Sequence, residues 1–235
     1  MWPWLNPGQF PELAMSGGQL LAASSGGNFL AIASAVTPSG DFLDNGNTDI
    51  VWENTSTGNV GIWTMDGASF NEWNSVAQAV TGWNIVGTGD FKRNGETDIL
   101  WENASTGEVG IWLMNGTAYS GWVALGTASS GWNIVGTGSF DDTGNTDILW
   151  QNVSTGEVGV WLMNGTTFST WVSIGSTSIG WTIVGTGSFD DTGNTDILWQ
   201  DPSTGEVGTW LMNGTPFMNW HSIGIAAADW QIENH

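Results

Sequence analysis

Along most of the chain, apolar residues come in short bursts cut by small polar ones. In the unit that starts at Gly131 the runs GWNIVGTGSF, TDILWQN, GEVGVWLMNG and FSTWVSIG are separated by DDTGN, VSTG, NGT and STSIG. The runs are rich in Val, Ile and Trp and carry no 3.6-residue period, so each predicts a strand. The separators are Gly, Asn, Asp, Ser and Thr, whose left-handed tolerance and local side-chain hydrogen bonds make turns. Each unit therefore predicts four strands, A to D, joined by tight turns.

The unit recurs. Trp52, Trp101, Trp150 and Trp199 are 49 residues apart, as are Trp63, Trp112, Trp161, Trp210, then Trp73, Trp122, Trp171, Trp220, and finally Trp83, Trp132, Trp181, Trp230. Four strands per unit of this length is the blade of a β-propeller. The first 48 residues yield a degenerate copy of strands B and C when WLNPGQFPELAMSGG is laid on WQNVSTGEVGVWLMNGT, which aligns Trp4, Asn6, Gly8, Met15 and Gly17 with their counterparts. Strand A is expected around Ser34–Phe42 and again at Trp83, Trp132, Trp181 and Trp230. The chain then begins at a strand B and reaches a strand A in DWQIENH. This predicts an all-β, five-bladed propeller of four-stranded blades, closed by the C-terminal strand so that no sheet edge is left at the seam. One domain spans 1–235, with blades at 1–33 plus 229–235, 34–81, 82–130, 131–179 and 180–228.

At GTGDFKRNGETDILWENASTGEVGIWLMNG the chain resembles the bacterial FG-GAP/VCBS-type repeat. That resemblance implies a propeller with a calcium loop between the first two strands, and functions from adhesion and ligand binding to modules appended to enzymes. The expected blade number and the Gly-Trp turn before strand A also resemble five-bladed propeller lectins of the tachylectin-2 type.

Charge narrows the partners. Two Lys and Arg residues, the adjacent Lys92 and Arg93, face 23 Asp and Glu, a net charge of -21. Nucleic acid and anionic membranes are repelled by such a surface, and polyanionic sugars with them. There is no Cys, which removes disulfides and thiolate sites. The opening MWPWLNPGQF has neither the basic region nor the apolar core of a signal peptide. The expectation is a secreted or cell-surface, extracellular monomer, its signal already removed or the whole a module of a longer exported chain. No run approaches the ~18 apolar residues of a membrane helix.

The stretch SFDDTGNTDILW, present at Ser139–Trp150 and Ser188–Trp199, has the composition of a metal loop. In the family pattern, oxygen ligands stand at the first, third, fifth and ninth positions, because Ca²⁺ needs 6–8 hard oxygens. Here those positions are Ser139, Asp141, Thr143, Asp147 and Ser188, Asp190, Thr192, Asp196; in the second blade Leu43, and in the third Lys92, occupy a ligand position. Two carboxylates per loop leave at most a weak calcium site at Asp141, Asp147, Asp190 and Asp196, and no other cofactor is expected. The preferred reading is a turn, with Gly144 and Gly193 at positive φ and Asp147 and Asp196 capping backbone N–H groups.

Catalysis is not expected. The bases reduce to His221 and His235, no Ser-His-Asp order or nucleophile elbow is present, and Glu108, Glu157 and Glu206 recur blade by blade instead of converging on one centre. The Asn-X-Ser sequences at Asn54, Asn103 and Asn152 read as turn residues. Of the tryptophans, Trp101, Trp150, Trp199 on strand B and Trp112, Trp161, Trp210 on strand C are expected in the core. With strands alternating in direction, the Trp opening strand A, the Asn closing strand B and the Glu opening strand C share one face of the disc. The ligand-binding candidates are therefore Trp83, Asn103, Glu108; Trp132, Asn152, Glu157; Trp181, Asp201, Glu206; and Trp230. An aromatic platform beside an amide and a carboxylate stacks a sugar ring and accepts its hydroxyl protons. The expected function is multivalent, non-enzymatic binding of neutral glycans or glycoconjugates. The rival is a protein-interaction, adhesion or spacer module.

Overall fold

The computed structural model of the chain describes residues 13–16, 19–22, 39–227 and 230–232. Two compact units form, Met1–Ser34 and Ala35–His235. In the first, β1 (Leu13–Ser16) and β2 (Gln19–Ala22) make an antiparallel hairpin with Ser16 opposite Gln19.

The second unit is a β-propeller of four blades, each a four-stranded antiparallel sheet in chain order. Blade I holds β3 (Ser39–Gly40), β4 (Asp49–Asn54), β5 (Asn59–Asp66) and β6 (Ser69–Gln78). Blade II holds β7 (Trp83–Gly89), β8 (Asp98–Asn103), β9 (Glu108–Asn115) and β10 (Ala118–Thr127). Blade III holds β11 (Trp132–Gly138), β12 (Asp147–Asn152), β13 (Glu157–Asn164) and β14 (Thr167–Ser176). Blade IV holds β15 (Thr182–Gly187), β16 (Asp196–Asp201), β17 (Glu206–Met212) and β18 (Phe217–Ile225). The described residues contain no helix.

Four blades replace the five expected, and among the described residues no C-terminal strand closes a fifth. The described part of the first 33 residues is the hairpin β1–β2, a two-stranded sheet by itself, and Trp230–Ile232 lie outside any strand. The sequence gives a physical reason. Pro3 and Pro11 fall on strands B and C of the expected extra blade, and a proline cannot donate to a ladder. The Thr-Asp-Ile pattern that opens strand B in the four blades is missing there too. Residues Trp4 to Gly8 and Gly17 of that alignment lie outside the described residues, as do Asp229 and 233–235.

Cross-strand partners share a face, and the register puts the tryptophans of a blade on one side. In blade II, Ile85 stands opposite Trp101, Trp101 opposite Gly110, and Ile99 opposite Trp112, which in turn faces Trp122. The other side carries Leu100, Val109 and Ile111. Each core between blades joins two unlike faces. Val51, Val60 and Ile62 of blade I pack on Ile85, Ile99, Trp101 and Trp112 of blade II. Leu100, Val109 and Ile111 of blade II meet Ile134, Ile148 and Trp150 of blade III, and Leu149, Val158 and Val160 of blade III meet Ile183, Trp199 and Trp210 of blade IV. The inner strands are tied as well: Thr137 Oγ1 donates to Thr88 O at 2.9 Å, and Thr186 Oγ1 to Thr137 O at 3.0 Å.

The third tryptophan series lies flat on a glycine. A Cβ at Gly159 would overlap the six-membered ring of Trp171 and stand 2.8 Å from Val172 O. Trp171 also meets Trp132 at nearly a right angle, ring centroids 4.9 Å apart. Gly159→Ala is therefore expected to cost about 1–3 kcal/mol as overpacking, read from the denaturant midpoint at constant slope. An unchanged midpoint would mean that Trp171 does not rest on this glycine.

Candidate functional site

Strand direction does bring the expected Trp, Asn and Glu to one end of each blade. Trp83 is the register partner of Asn103 and Trp132 of Asn152, while Asn152 stands opposite Glu157 and Asp201 opposite Glu206. Trp181 directly precedes β15. The polar members are largely engaged with their own turn. Asn103 Oδ1 accepts from Ser105 N at 3.0 Å, Ser105 Oγ at 2.7 Å and Thr106 N at 3.2 Å, and Thr106 Oγ1 donates to Glu108 Oε2 at 2.9 Å. Asn152 and Glu157 repeat this with Ser154 and Thr155. Asp201 does so with Ser203, whose hydroxyl and amide hold its carboxyl below the usual range. Asn54 likewise caps Ser56 and Thr57. Asn and Asp close the turn between strands B and C through one oxygen each.

Trp83, Trp132 and Trp181 are half-buried. Each meets a strand-D tryptophan edge-on: Trp83 with Trp122 at 5.1 Å, Trp132 with Trp171 at 4.9 Å, and Trp181 with Trp220 at 5.1 Å, at interplanar angles of 83–87°. Blades II, III and IV thus each carry a pair of indoles at this end. Trp122 and Trp171 are 40% and 38% exposed. In blade I the sequence places no Trp at the start of strand A, where Ser34 and Val36 stand. Trp230 is 69% exposed and stands apart from these pairs.

In blade IV the pair walls a cleft of about 370 Å³. One side is the end of β14 and the following turn, Ile174 to Ser178; the other is Trp181, Trp199, Trp210, Phe217 and Trp220. Trp181 is the expected site residue that lines it, whereas Asp201 and Glu206 do not. Trp199 is fully buried, as are Trp101 and Trp150, and its indole N–H has no partner, like those of Trp52, Trp101 and Trp150. The strand-D series carries the same 49-residue spacing as the others, so its periodicity was the available signal. Its place on the tryptophan face was hidden by the bulge that shifts register between Leu211 and Met212, which sets Trp220 opposite Trp210.

The loops between strands A and B are closed by their own backbone. Asp147 Oδ2 accepts from Phe140 N and its Oδ1 from Met163 N, both at 2.8 Å, and Asp196 does the same with Phe189 and Met212. Burial pushes the Asp147 carboxyl up to about 6 against the pull of these amides. Asp141 and Asp190 accept from the amide and hydroxyl of Thr143 and Thr192. Gly144 and Gly193 have φ of 72° and 83°. Among the described residues no three His, Asp or Glu side chains converge on a common point for a metal. In blade II an ammonium stands in this loop: Lys92 Nζ donates to Met114 O at 2.6 Å and lies 3.6 Å from Asp98 Oδ1.

No protein-family model matches this chain, and no curated protein does. Among solved structures it is similar to YCF48 from Cyanidioschyzon merolae, with 14% identity over 74% of this chain and 52% of that one, at a TM-score of 0.43. The chain spans about half the length of that protein, and a similarity at this level does not bear on its function.

Proposed function

We propose that this chain binds neutral glycans without catalysis, through several similar sites, and that it does so outside the cell. The observation that carries the reading is the aromatic cleft of blade IV together with the recurrence of its indole pair in blades II and III. Sugar rings present C–H faces that stack on indoles, and ordered clefts of this size bury a mono- or disaccharide. A net charge of -21 disfavours sialylated and sulphated ligands.

A single stacked sugar is expected to bind at roughly 0.1–1 mM, and tethering of three sites to raise apparent affinity on a glycan-bearing surface ~10²-fold or more. On an array of neutral, sialylated and sulphated glycans, the neutral set should be retained. Trp132→Ala should weaken retention in part, while Trp83, Trp132 and Trp181 changed together should abolish it with the circular dichroism of the blades kept. Binding of no neutral glycan by the unaltered chain, or retention by the triple variant, sinks the proposal.

A further inference from the structure

Between blades III and IV one side chain ties strand B of one blade to strand A of the next. Gln151 Nε2 donates to Trp181 O at 2.7 Å, and its Oε1 accepts from Ile183 N at 3.0 Å. Gln200 makes the same two bonds onward, to Trp230 O at 2.7 Å and from Ile232 N at 2.9 Å. An amide suits the task because it is at once donor and acceptor. The equivalent residues of blades I and II are Glu53 and Glu102. Glu53 Oε2 still accepts from Ile85 N at 3.1 Å. An ionised carboxylate, however, cannot donate to the carbonyl of Trp83; Glu102 holds the matching sequence place ahead of Trp132 and Ile134, and makes neither bond there.

We infer that Glu53 and Glu102 are positioning residues for the indole platforms of the following blade, and that they complete their latch only when protonated. The proton then resides on the oxygen facing the Trp carbonyl, so that Glu reproduces the donor-acceptor pair of Gln. The seams at Trp83 and Trp132 are thereby tightened by acid, while the seam at Trp181 is indifferent to pH. The latch goes beyond the glycan reading and stands without it.

No Lys, Arg or His stands on the strands around these two carboxyls. Glu102 lies between β7 and β9, which offer only Glu108 of β9, and its own strand adds Asp98; β11 of the next blade carries no titratable residue. Glu53 packs against β5 and across the seam on β7, which offer only Asp66 at the far end of β5, and its own strand adds Asp49. Burial pushes Glu102 from its ordinary 4.5 to about 6, and raises Glu53 less, offset in part by the Ile85 amide. Since the folded state holds the proton more tightly, folding takes up protons in this window. Stability is fully present below it and is lost as pH rises through about 6.

The test is amide hydrogen exchange of Ile85, Ile134 and Ile183 between pH 4.5 and 7.5, corrected for the intrinsic rate. Protection of Ile134 relative to Ile183 should fall about thirtyfold as pH rises through the window, the change that goes with a rise from 4.5 to about 6, and protection of Ile85 should fall in the same direction. Glu53→Gln with Glu102→Gln should flatten both profiles at the protected level, and Gln151→Glu should confer the pH dependence on Ile183. Glu72→Gln, on the exposed face of β6, controls for loss of one negative charge and should change nothing. The inference is overturned if the double Gln variant keeps the slope at Ile85 and Ile134, or if Gln151→Glu leaves Ile183 flat.

Discussion

Trp150→Ala should remove about 3–5 kcal/mol of stability, the range for a large aromatic deleted from a packed core. Trp150 is 1% exposed and lies where two blades meet, against Leu100, Val109 and Ile111 of blade II on one side and Trp161, at 4.8 Å, on the other. The cavity cannot collapse cheaply, because both walls are strands fixed in their own ladders. Against a total of about 5–15 kcal/mol for a domain, that loss is a large fraction. Trp150→Phe separates packing from polarity. It keeps most of the ring and deletes an indole N–H that is buried without a partner, a group whose desolvation costs about 1–3 kcal/mol. The Phe variant should therefore sit well above the Ala variant in denaturant midpoint. If Trp150→Ala loses less than about 1 kcal/mol, the core between blades II and III is not where the sheets are held.

How much of this was legible in the sequence follows from what is local and what is not. Strand identity within a blade is local, so the 49-residue tryptophan spacing and the turn residues located β4 to β18 well. The burial expected of Trp101, Trp150 and Trp199 holds, as it does for Trp112 and Trp210, whereas Trp161 is half-buried. The shared end of Trp83, Asn103 and Glu108 followed from strand alternation alone. Blade number did not, because it depends on whether a weakly matching segment can supply ladder donors, and one containing Pro3 and Pro11 was counted as though it could. The cleft also escaped, since it is formed by the end of β14 and the tryptophan face of another blade. The free polar groups of the site were overcounted for a different reason. Asn103 and Asn152 are one and the same with the turn caps that the Asn-X-Ser sequences signalled, and an oxygen already accepting two amides is not offered to a ligand. The Gln and Glu of the blade seams were in plain view as TDILWQN and TDILWEN, but their partners lie about 30 residues on, across a packed interface.

The same strand β12 supplies the last test, at Asp147. All six of its residues are buried, and Asp147 accepts two backbone N–H donors, from Phe140 in the preceding turn and from Met163 on the next strand. It thus joins three segments of one blade with a single carboxylate. In Asp147→Ala both donors stay buried and lose their acceptor, at about 1–3 kcal/mol each, so a loss of about 2–6 kcal/mol is expected at pH 7.5, where the carboxyl is ionised. Asp147→Asn should lose less, since its oxygen satisfies one amide while its NH₂ confronts the other. The turn and the metal readings of SFDDTGNTDILW diverge here. A capping carboxylate stabilises the blade whatever the divalent content of the buffer, whereas a ligand contributes through RT ln(1 + [L]/Kd) and only when the ion is present. The loss on Asp147→Ala is therefore expected to be equal in millimolar calcium and in EDTA. A loss that appears with calcium and vanishes with EDTA would make this residue a ligand, and the loop a metal site after all.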